Sequence, residues 1–229
     1  MSARVKAKLA RGETATMVLV NYPSPALVEK VGGLGFDMAF IDTEKGSATT
    51  ERIEEMCRAA RAAGIAALVR PWSSDPNLIS RYLDLGADAV MVAAIDTPEA
   101  AGALVEAVRY ARFADYDRKL VVAMIESPQA IERLPQLLAV EGIDVWFVGP
   151  NDLAHRMGHP GNAAHPEVRA AVLSTLRAIS AAGAVAGTLV TPQTVGALVD
   201  AGARLLMTRV SDLLAIGADT FHRSTERPT

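Results

Sequence analysis

Gly35-Phe36-Asp37-Met38-Ala39-Phe40-Ile41-Asp42-Thr43-Glu44 is the stretch on which the fold of this chain turns. A glycine follows a helical segment, an apolar run begins within a few residues, and the run closes on charged side chains. Glycine is favoured just past a helix C-terminus because it takes the left-handed conformation without a Cβ clash. The same succession recurs at Gly64 before Ile65-Ala66-Ala67-Leu68-Val69, at Gly86 before Ala89-Val90-Met91-Val92 and at Gly142 before Val145-Trp146-Phe147-Val148. It returns at Gly183 before Ala184-Val185-Ala186 and at Gly202 before Leu205-Leu206-Met207. The runs do not alternate between apolar and polar, so both faces of each strand are expected to be covered.

Helix starts carry the complementary signal. Ser24-Pro25, Asp75-Pro76, Thr97-Pro98, Ser127-Pro128 and Thr191-Pro192 each set a capping side chain before a proline suited to the first helical turn, with His165-Pro166 a weaker instance. Residues 16–20 and 120–125 lack the leading glycine and complete eight strand candidates that alternate with helices. Eight such units, with no linker, low-complexity tract or charge block between them, predict one closed (β/α)₈ barrel over residues 1–229 rather than an open sheet.

Composition agrees with a single large domain and excludes several classes of function. With 50% hydrophobic but only 5% aromatic residues among 229, the core must be built from Ala, Val, Leu and Ile. A net charge of −3 with no Lys/Arg run offers nothing to nucleic acid or to an anionic membrane. Cys57 is the one cysteine, so an intrachain disulfide and a cysteine-based zinc site are both excluded, and a half-buried structural thiol is expected. The first 14 residues are charged and lack the apolar stretch of a signal peptide, and the longest apolar run, residues 89–95, is too short to cross a bilayer. A cytoplasmic protein is expected.

In a barrel of this kind the residues at the C-terminal ends of the strands face the active site. Those ends read Ile41-Asp42-Thr43-Glu44-Lys45-Gly46, Leu68-Val69-Arg70-Pro71-Trp72, Met124-Ile125-Glu126-Ser127 and Val148-Gly149-Pro150-Asn151-Asp152. Several carboxylates and a guanidinium should then converge on one mouth. Glu126 and Asp152 form the natural metal pair, because two close carboxylates repel unless a cation or proton neutralises them. Mg²⁺ is often held by one or two carboxylates plus waters and substrate oxygens, and Mn²⁺ or Co²⁺ suits the same donors. On spacing alone, simple capping of the following helices by Glu126 and Asp152 explains them as well. Arg70 is expected to anchor an oxyanion or a neighbouring carboxylate, since an unpaired buried guanidinium is costly. His155 and His159, four apart, could share a helical face as metal ligands do, but Gly158 and Pro160 interrupt a helix there and favour surface or loop-packing roles.

Together these segments resemble the HpcH/HpaI aldolase family, the class II pyruvate aldolases. The resemblance is carried by residues 35–37 through 42–44, Val69-Arg70-Pro71, Gly86-Ala87, Ile125-Glu126-Ser127 and Phe147-Val148-Gly149-Pro150-Asn151-Asp152-Leu153. Met157-Gly158-His159-Pro160-Gly161 and His165-Pro166-Glu167-Val168 extend it, so that it runs from about Val18 to about Leu213. It implies a barrel of the phosphoenolpyruvate/pyruvate type, with Mg²⁺, Mn²⁺ or Co²⁺ held at Glu126 and Asp152 and chelated by the carboxylate and 2-oxo oxygen of pyruvate. It further implies that Arg70 stabilises the enolate oxygen without a Schiff base, and that Gly149, Pro150 and the backbone around Thr188 and Leu189 line the substrate pocket. Family members are commonly hexamers built from trimers or dimers, often with an exchanged C-terminal helix. The resemblance therefore implies a homo-oligomer, hexamer or trimer, with the C-terminal segment open to exchange with a neighbouring subunit.

Two departures stand out. The family's catalytic block reads Asp-x-Glu-His, whereas Lys45 stands here at the histidine's place after Asp42 and Glu44. An imidazole can accept a proton near pH 7, while an ordinary lysine, with a pKa near ~10.4, is almost wholly charged. The segment between Tyr110 and Leu120 is also short where the family carries a longer loop reaching a neighbouring active site, and Arg112, Arg118 or Lys119 is the available substitute. The expectation is thus a metal-dependent carbon–carbon lyase of the aldolase type, acting on a 2-oxo acid and an aldehyde through a pyruvate enolate. Decarboxylation or oxaloacetate-type cleavage on the same enolate, and non-catalytic binding of a 2-oxo acid, are the rivals. Lys45 is assigned to hold an anionic group of the acceptor, with a plain Asp42–Lys45 salt bridge as the simple alternative.

Overall fold

The six glycines that the sequence places after helices all adopt positive φ, from +73° at Gly64 to +105° at Gly86. Each lets the chain leave a helix and turn directly into a strand. In the computed structural model, which describes residues 1–225, the strands are β1 (Ala15–Leu19), β2 (Met38–Asp42), β3 (Ala66–Arg70), β4 (Ala89–Val92), β5 (Leu120–Ile125), β6 (Val145–Val148), β7 (Ala186–Leu189) and β8 (Ala203–Arg209). They pair in parallel and in chain order, and β8 returns to β1 with Met17 opposite Met207, closing the barrel. The helices are α1 (Ser2–Ala10), α2 (Pro25–Gly33), α3 (Thr50–Ala62), α4 (Pro76–Asp84), α5 (Pro98–Ala111), α6 (Pro128–Glu132), α7 (Leu134–Leu138), α8 (Pro150–Arg156), α9 (Pro166–Ala181), α10 (Val195–Asp200) and α11 (Val210–Thr225).

The capping signals act as expected at α2, α4, α5 and α6, where Ser24, Asp75, Thr97 and Ser127 accept from backbone amides two or three residues on. His165 does the same for α9 through its Nδ1. Two expectations are corrected. Thr191-Pro192 does not open a helix: Thr191 and Thr194 close a turn on each other, and α10 begins only at Val195. β7 begins at Ala186 rather than Ala184, because Gly183 and Ala184 still donate to the last turn of α9, at Ser180 and Ile179.

Burial follows from closure. Every residue of β2, β3, β4, β5 and β6 is buried, as strands covered on both faces must be. One apolar layer lies between barrel and helices; a second fills the barrel with Met17, Met38, Phe40, Met91, Met124, Phe147 and Met207. α1 adds Val5 and Leu9 to that interior layer and so plugs the bottom, where the strands begin.

Three aspartates bind this plug. Asp37, Asp88 and Asp144 each stand two residues after a helix-ending glycine. Their carboxylates accept from the amides of Thr16 (2.9 Å), Ala67 (3.2 Å) and Val121 (2.8 Å), at the base of the preceding strand. Each also meets a cation from α1 or its start: Lys8 at 2.8 Å, the Met1 ammonium at 3.5 Å and Lys6 at 3.0 Å. α11 differs from the other long helices. Only Val210 of it is buried, and Leu213, Leu214, Ile216 and Phe221 lie exposed along it.

Candidate active site at the barrel mouth

At the opposite end, the strand register sets Asp42 on β2 directly beside Arg70 on β3. The Arg70 Nε donates to Asp42 Oδ1 at 2.9 Å and Nη2 to Asp42 Oδ2 at 2.6 Å, while Nη1 meets Glu44 Oε2 at 2.8 Å. The guanidinium also sits 5.6 Å above the ring of Phe40. Arg70 and Asp42 are both buried, so this is a fork-to-fork ion pair rather than a surface contact. Burial would weaken the charge on Arg70, but the bonds and charge of Asp42, then Glu44 and Glu126, outweigh it and raise its pKa. A guanidinium has five N–H donors. Three point at carboxylate oxygens and Nη1 also meets the Met124 sulfur at 3.9 Å, which leaves one N–H, on Nη2, without a protein acceptor among the described residues.

The turn after β2 is built on the same carboxylate. Asp42 Oδ1 accepts from the amides of Glu44 (3.0 Å) and Lys45 (3.4 Å). A Cβ at Gly46 would overlap the Asp42 carbonyl oxygen, so the turn admits only glycine there. It delivers Lys45 across the mouth to the first turn of α8, where its Nζ lies 2.9 and 3.1 Å from the two oxygens of Asp152. The plain Asp42–Lys45 salt bridge, the simple alternative for Lys45, is therefore not formed. Asp42 is already committed to Arg70 and takes only the backbone amide of Lys45.

Glu126, at the end of β5, is 3% exposed. Its Oε1 accepts from the amide of Ala94 at 2.8 Å, and its Oε2 is buried without a hydrogen-bond partner. Ala94 presents that amide with φ +54°, an uncommon backbone state for a side-chain-bearing residue. Ser127 holds the following turn, donating to Asp96 at 2.6 Å while capping α6, and Asp96 also meets Arg156 of α8 at 3.2 Å. Burial, then the charge of Asp152, raises the pKa of Glu126 against the Ala94 bond, which lowers it. Gly149 packs closely against this carboxylate, since a Cβ there would lie 2.9 Å from Oε2. A buried carboxylate oxygen without a donor and a second carboxylate within electrostatic reach fit a hard divalent cation.

A cavity of about 270 Å³ opens at this mouth, lined by Asp42, Lys45, Arg70, Gly149, Pro150, Asp152 and Leu189 among others. Glu126 is absent from that lining, and so is Thr188. Its hydroxyl is buried against the Val148 carbonyl oxygen at 2.9 Å, and it faces a separate, mainly apolar pocket between α9 and α10. Asn21 and Arg209 also line the mouth, and nothing in their local sequence singled them out. Ala94 and its positive φ likewise have no sequence signature.

The short segment before β5 lies at the bottom of its own barrel. Lys119 donates to the Ala87 carbonyl oxygen at 3.0 Å, Arg112 pairs with Asp115 and Asp84, and the Arg118 carbonyl oxygen accepts from Ser2. The histidines pair differently from the spacing: His159 stacks on His165 at 3.6 Å, with 15° between the rings, and its Nε2 meets Glu167 at 3.0 Å. This trio has the residue types of a metal site, but an imidazole donates in its ring plane. An ion midway between rings stacked at 3.6 Å would sit about 1.8 Å out of both planes, against a bond of only about 2.0–2.1 Å. The stack therefore serves the loop between α8 and α9.

Among the described residues, no helix is long and apolar enough to cross a membrane. The family model for HpcH/HpaI aldolase/citrate lyase matches residues 15–221. A pyruvate aldolase of Rhizobium etli is 32% identical over 215 aligned positions, covering 84% of this chain and 84% of the relative. A 2-keto-3-deoxy-L-rhamnonate aldolase of Escherichia coli is 29% identical over 244 aligned positions, covering 96% of this chain and 89% of the relative. That alignment is longer than this chain of 229 residues, so the relative carries residues this chain lacks. A crystal structure of a family protein from Burkholderia cenocepacia superposes with a TM-score of 0.89 at 25% identity, covering 98% of this chain and 100% of that one. With a closed eightfold barrel, an acidic mouth and this match across nearly its whole length, the chain belongs to the HpcH/HpaI aldolase/citrate lyase family, whose relatives named here are aldolases.

Proposed function

We propose that this protein is a metal-dependent carbon–carbon lyase that makes or breaks the bond beside the 2-oxo group of a pyruvate-like acid, with an aldehyde as the second reactant. The observation that carries the proposal is the buried, partnerless Oε2 of Glu126, packed against Gly149 and within electrostatic reach of Asp152. Glu126 and Asp152 would hold Mg²⁺, Mn²⁺ or Co²⁺. Such a cation supplies Lewis acidity at the 2-oxo group when bound.

The chain's own groups do the rest. Arg70, held rigid by Asp42 and Glu44, would present its remaining Nη2 N–H to the oxygen that gains charge as the enolate forms, and a fixed donor of this kind needs no reorganisation. In the synthetic direction a methyl proton passes to water, the methyl carbon bonds to the aldehyde carbon as its C=O π bond opens, and the new alkoxide takes a proton back from water, so no net proton is gained or lost. Gly149, Pro150 and Leu189 shape the cavity wall. Lys45 supplies positive charge for an anionic group of the acceptor. The apolar face of α11 supports a homo-oligomer, trimer or hexamer, in which that C-terminal helix is covered by or exchanged with another copy.

Methyl-proton exchange of pyruvate in D₂O, followed by NMR, tests the reading. Exchange should require added Mg²⁺ or Mn²⁺ and stop with a chelator; its absence in metal-replete protein, with no turnover of any 4-hydroxy-2-oxo acid, would overturn it. One observation favours a neighbouring reaction. The side chain at the family histidine's place is an ammonium engaged with a carboxylate, so reactions needing no external base gain weight. Release of CO₂ from oxaloacetate in parallel assays separates decarboxylation from aldol chemistry.

A further inference from the structure

We propose that Lys45 is a tethered cation that occupies Asp152 until a divalent cation displaces it, so that filling the metal site and freeing the Lys45 ammonium are one event. The inference rests on the metal reading above and adds a role for the residue that replaces the family histidine.

Three observations carry it. Lys45 Nζ covers both oxygens of Asp152, at 2.9 and 3.1 Å, and among the described residues they accept from no other donor. The contact is built: the Asp42-centred turn, which tolerates only glycine at position 46, carries Lys45 across the mouth to α8, 107 residues away in sequence. The substitution is also incomplete, because one ammonium satisfies Asp152 while Glu126 Oε2 stays buried and partnerless. A divalent cation between the two carboxylates would satisfy both. It cannot do so while the ammonium holds Asp152, since a second positive charge at the same oxygens is repelled.

The exchange is feasible in magnitude. The Lys45 and Asp152 side chains are 55% and 38% exposed, and pairs in that environment are weak enough to be broken by a bound dication. Once displaced, the ammonium remains tethered at the mouth and becomes available to an anionic group on the incoming reactant.

Isothermal titration of the metal-stripped full chain with Mn²⁺ tests this without any turnover. Lys45→Met keeps the length of the side chain, removes the charge, and should tighten Mn²⁺ binding about two- to fivefold at low ionic strength, less so at high salt. Lys45→Arg retains the charge and should bind Mn²⁺ as the parent does. Glu126→Gln serves as the control and should weaken binding. Affinity in Lys45→Met equal to or weaker than the parent, with Glu126→Gln still impaired, overturns the exchange and leaves the metal site standing. Undiminished affinity in Glu126→Gln overturns both.

Discussion

The two ends of this barrel carry the same kinds of residue and treat them in opposite ways. At the bottom, Asp37, Asp88 and Asp144 each accept from a strand amide and meet a cation of the N-terminal segment. At the mouth, Asp42 is fully engaged by Arg70, but Glu126 has an oxygen with no donor and Asp152 is met only by a half-exposed lysine. A buried polar group left unmatched costs free energy, so a fold that could be satisfied and is not points to a ligand. The three bottom aspartates are matched by the chain itself, whereas Glu126 at the mouth keeps an oxygen unmatched; Arg109 Nε is likewise unmatched near the bottom.

The largest effect should come where the mouth is already satisfied. On the proposed reading Arg70→Ala removes a donor to the reacting oxygen, and it strands the buried Asp42 carboxylate, so kcat should fall about 10²–10³-fold and stability by about 3–5 kcal/mol. Arg70→Lys keeps the charge but not the planar fork and should recover each only in part. Parent-level turnover in Arg70→Lys would assign Arg70 to structure alone.

A charge-removing change at the bottom should act on stability and nothing else. Asp37→Asn is expected to cost about 1.5–3 kcal/mol, read by chemical denaturation, with Mn²⁺ affinity unchanged. Burial pushes the Asp37 carboxyl up, but the bonds from Lys8 and Thr16 prevail and hold it below the ordinary range. Its stabilisation is therefore present above the usual aspartate pKa near ~3.9 and is lost as pH falls through the lower folded value. The gap between parent and Asp37→Asn should close on acidification through that window. A constant gap would show that shape, not charge, matters there.

Gly149→Ala sharpens the contrast by crowding Glu126. The new methyl would lie 2.9 Å from Oε2 and 3.0 Å from Met124 Cε. Metal affinity should drop about tenfold or more, while the melting temperature moves far less than in Arg70→Ala. The smallest effect belongs to Cys57, in the helical layer between the two ends. Burial pushes its thiol up to about 12, so an alkylating reagent at pH 8 should leave it unmodified in the folded protein. Rapid modification would mean that the layer opens locally.

The barrel was legible because its punctuation is local. Each glycine after a helix and each cap before a proline acts within a few residues, and errors arose where two local signals competed, as at Thr191-Pro192 and Gly183-Ala184. The Gly-x-Asp repeat at positions 35–37, 86–88 and 142–144 is equally plain, but what its carboxylates bind is not, because the amides and cations come from elsewhere in the chain. The mouth was legible as a list of charges and not as a set of pairs. Asp42 and Lys45 are neighbours in sequence, yet one turns to Arg70 and the other to Asp152. The positive φ of Ala94, which aims an amide at Glu126, leaves no trace in residue type.

The central claim is that the mouth is an unfinished cation site. Electron paramagnetic resonance of free Mn²⁺ over metal-stripped protein, comparing the parent with Glu126→Gln, tests it most directly. One saturable site in the parent, weakened about a hundredfold or more in Glu126→Gln with the melting temperature little changed, is the predicted result. Equal Mn²⁺ binding by the two proteins, or none by the parent, would contradict it.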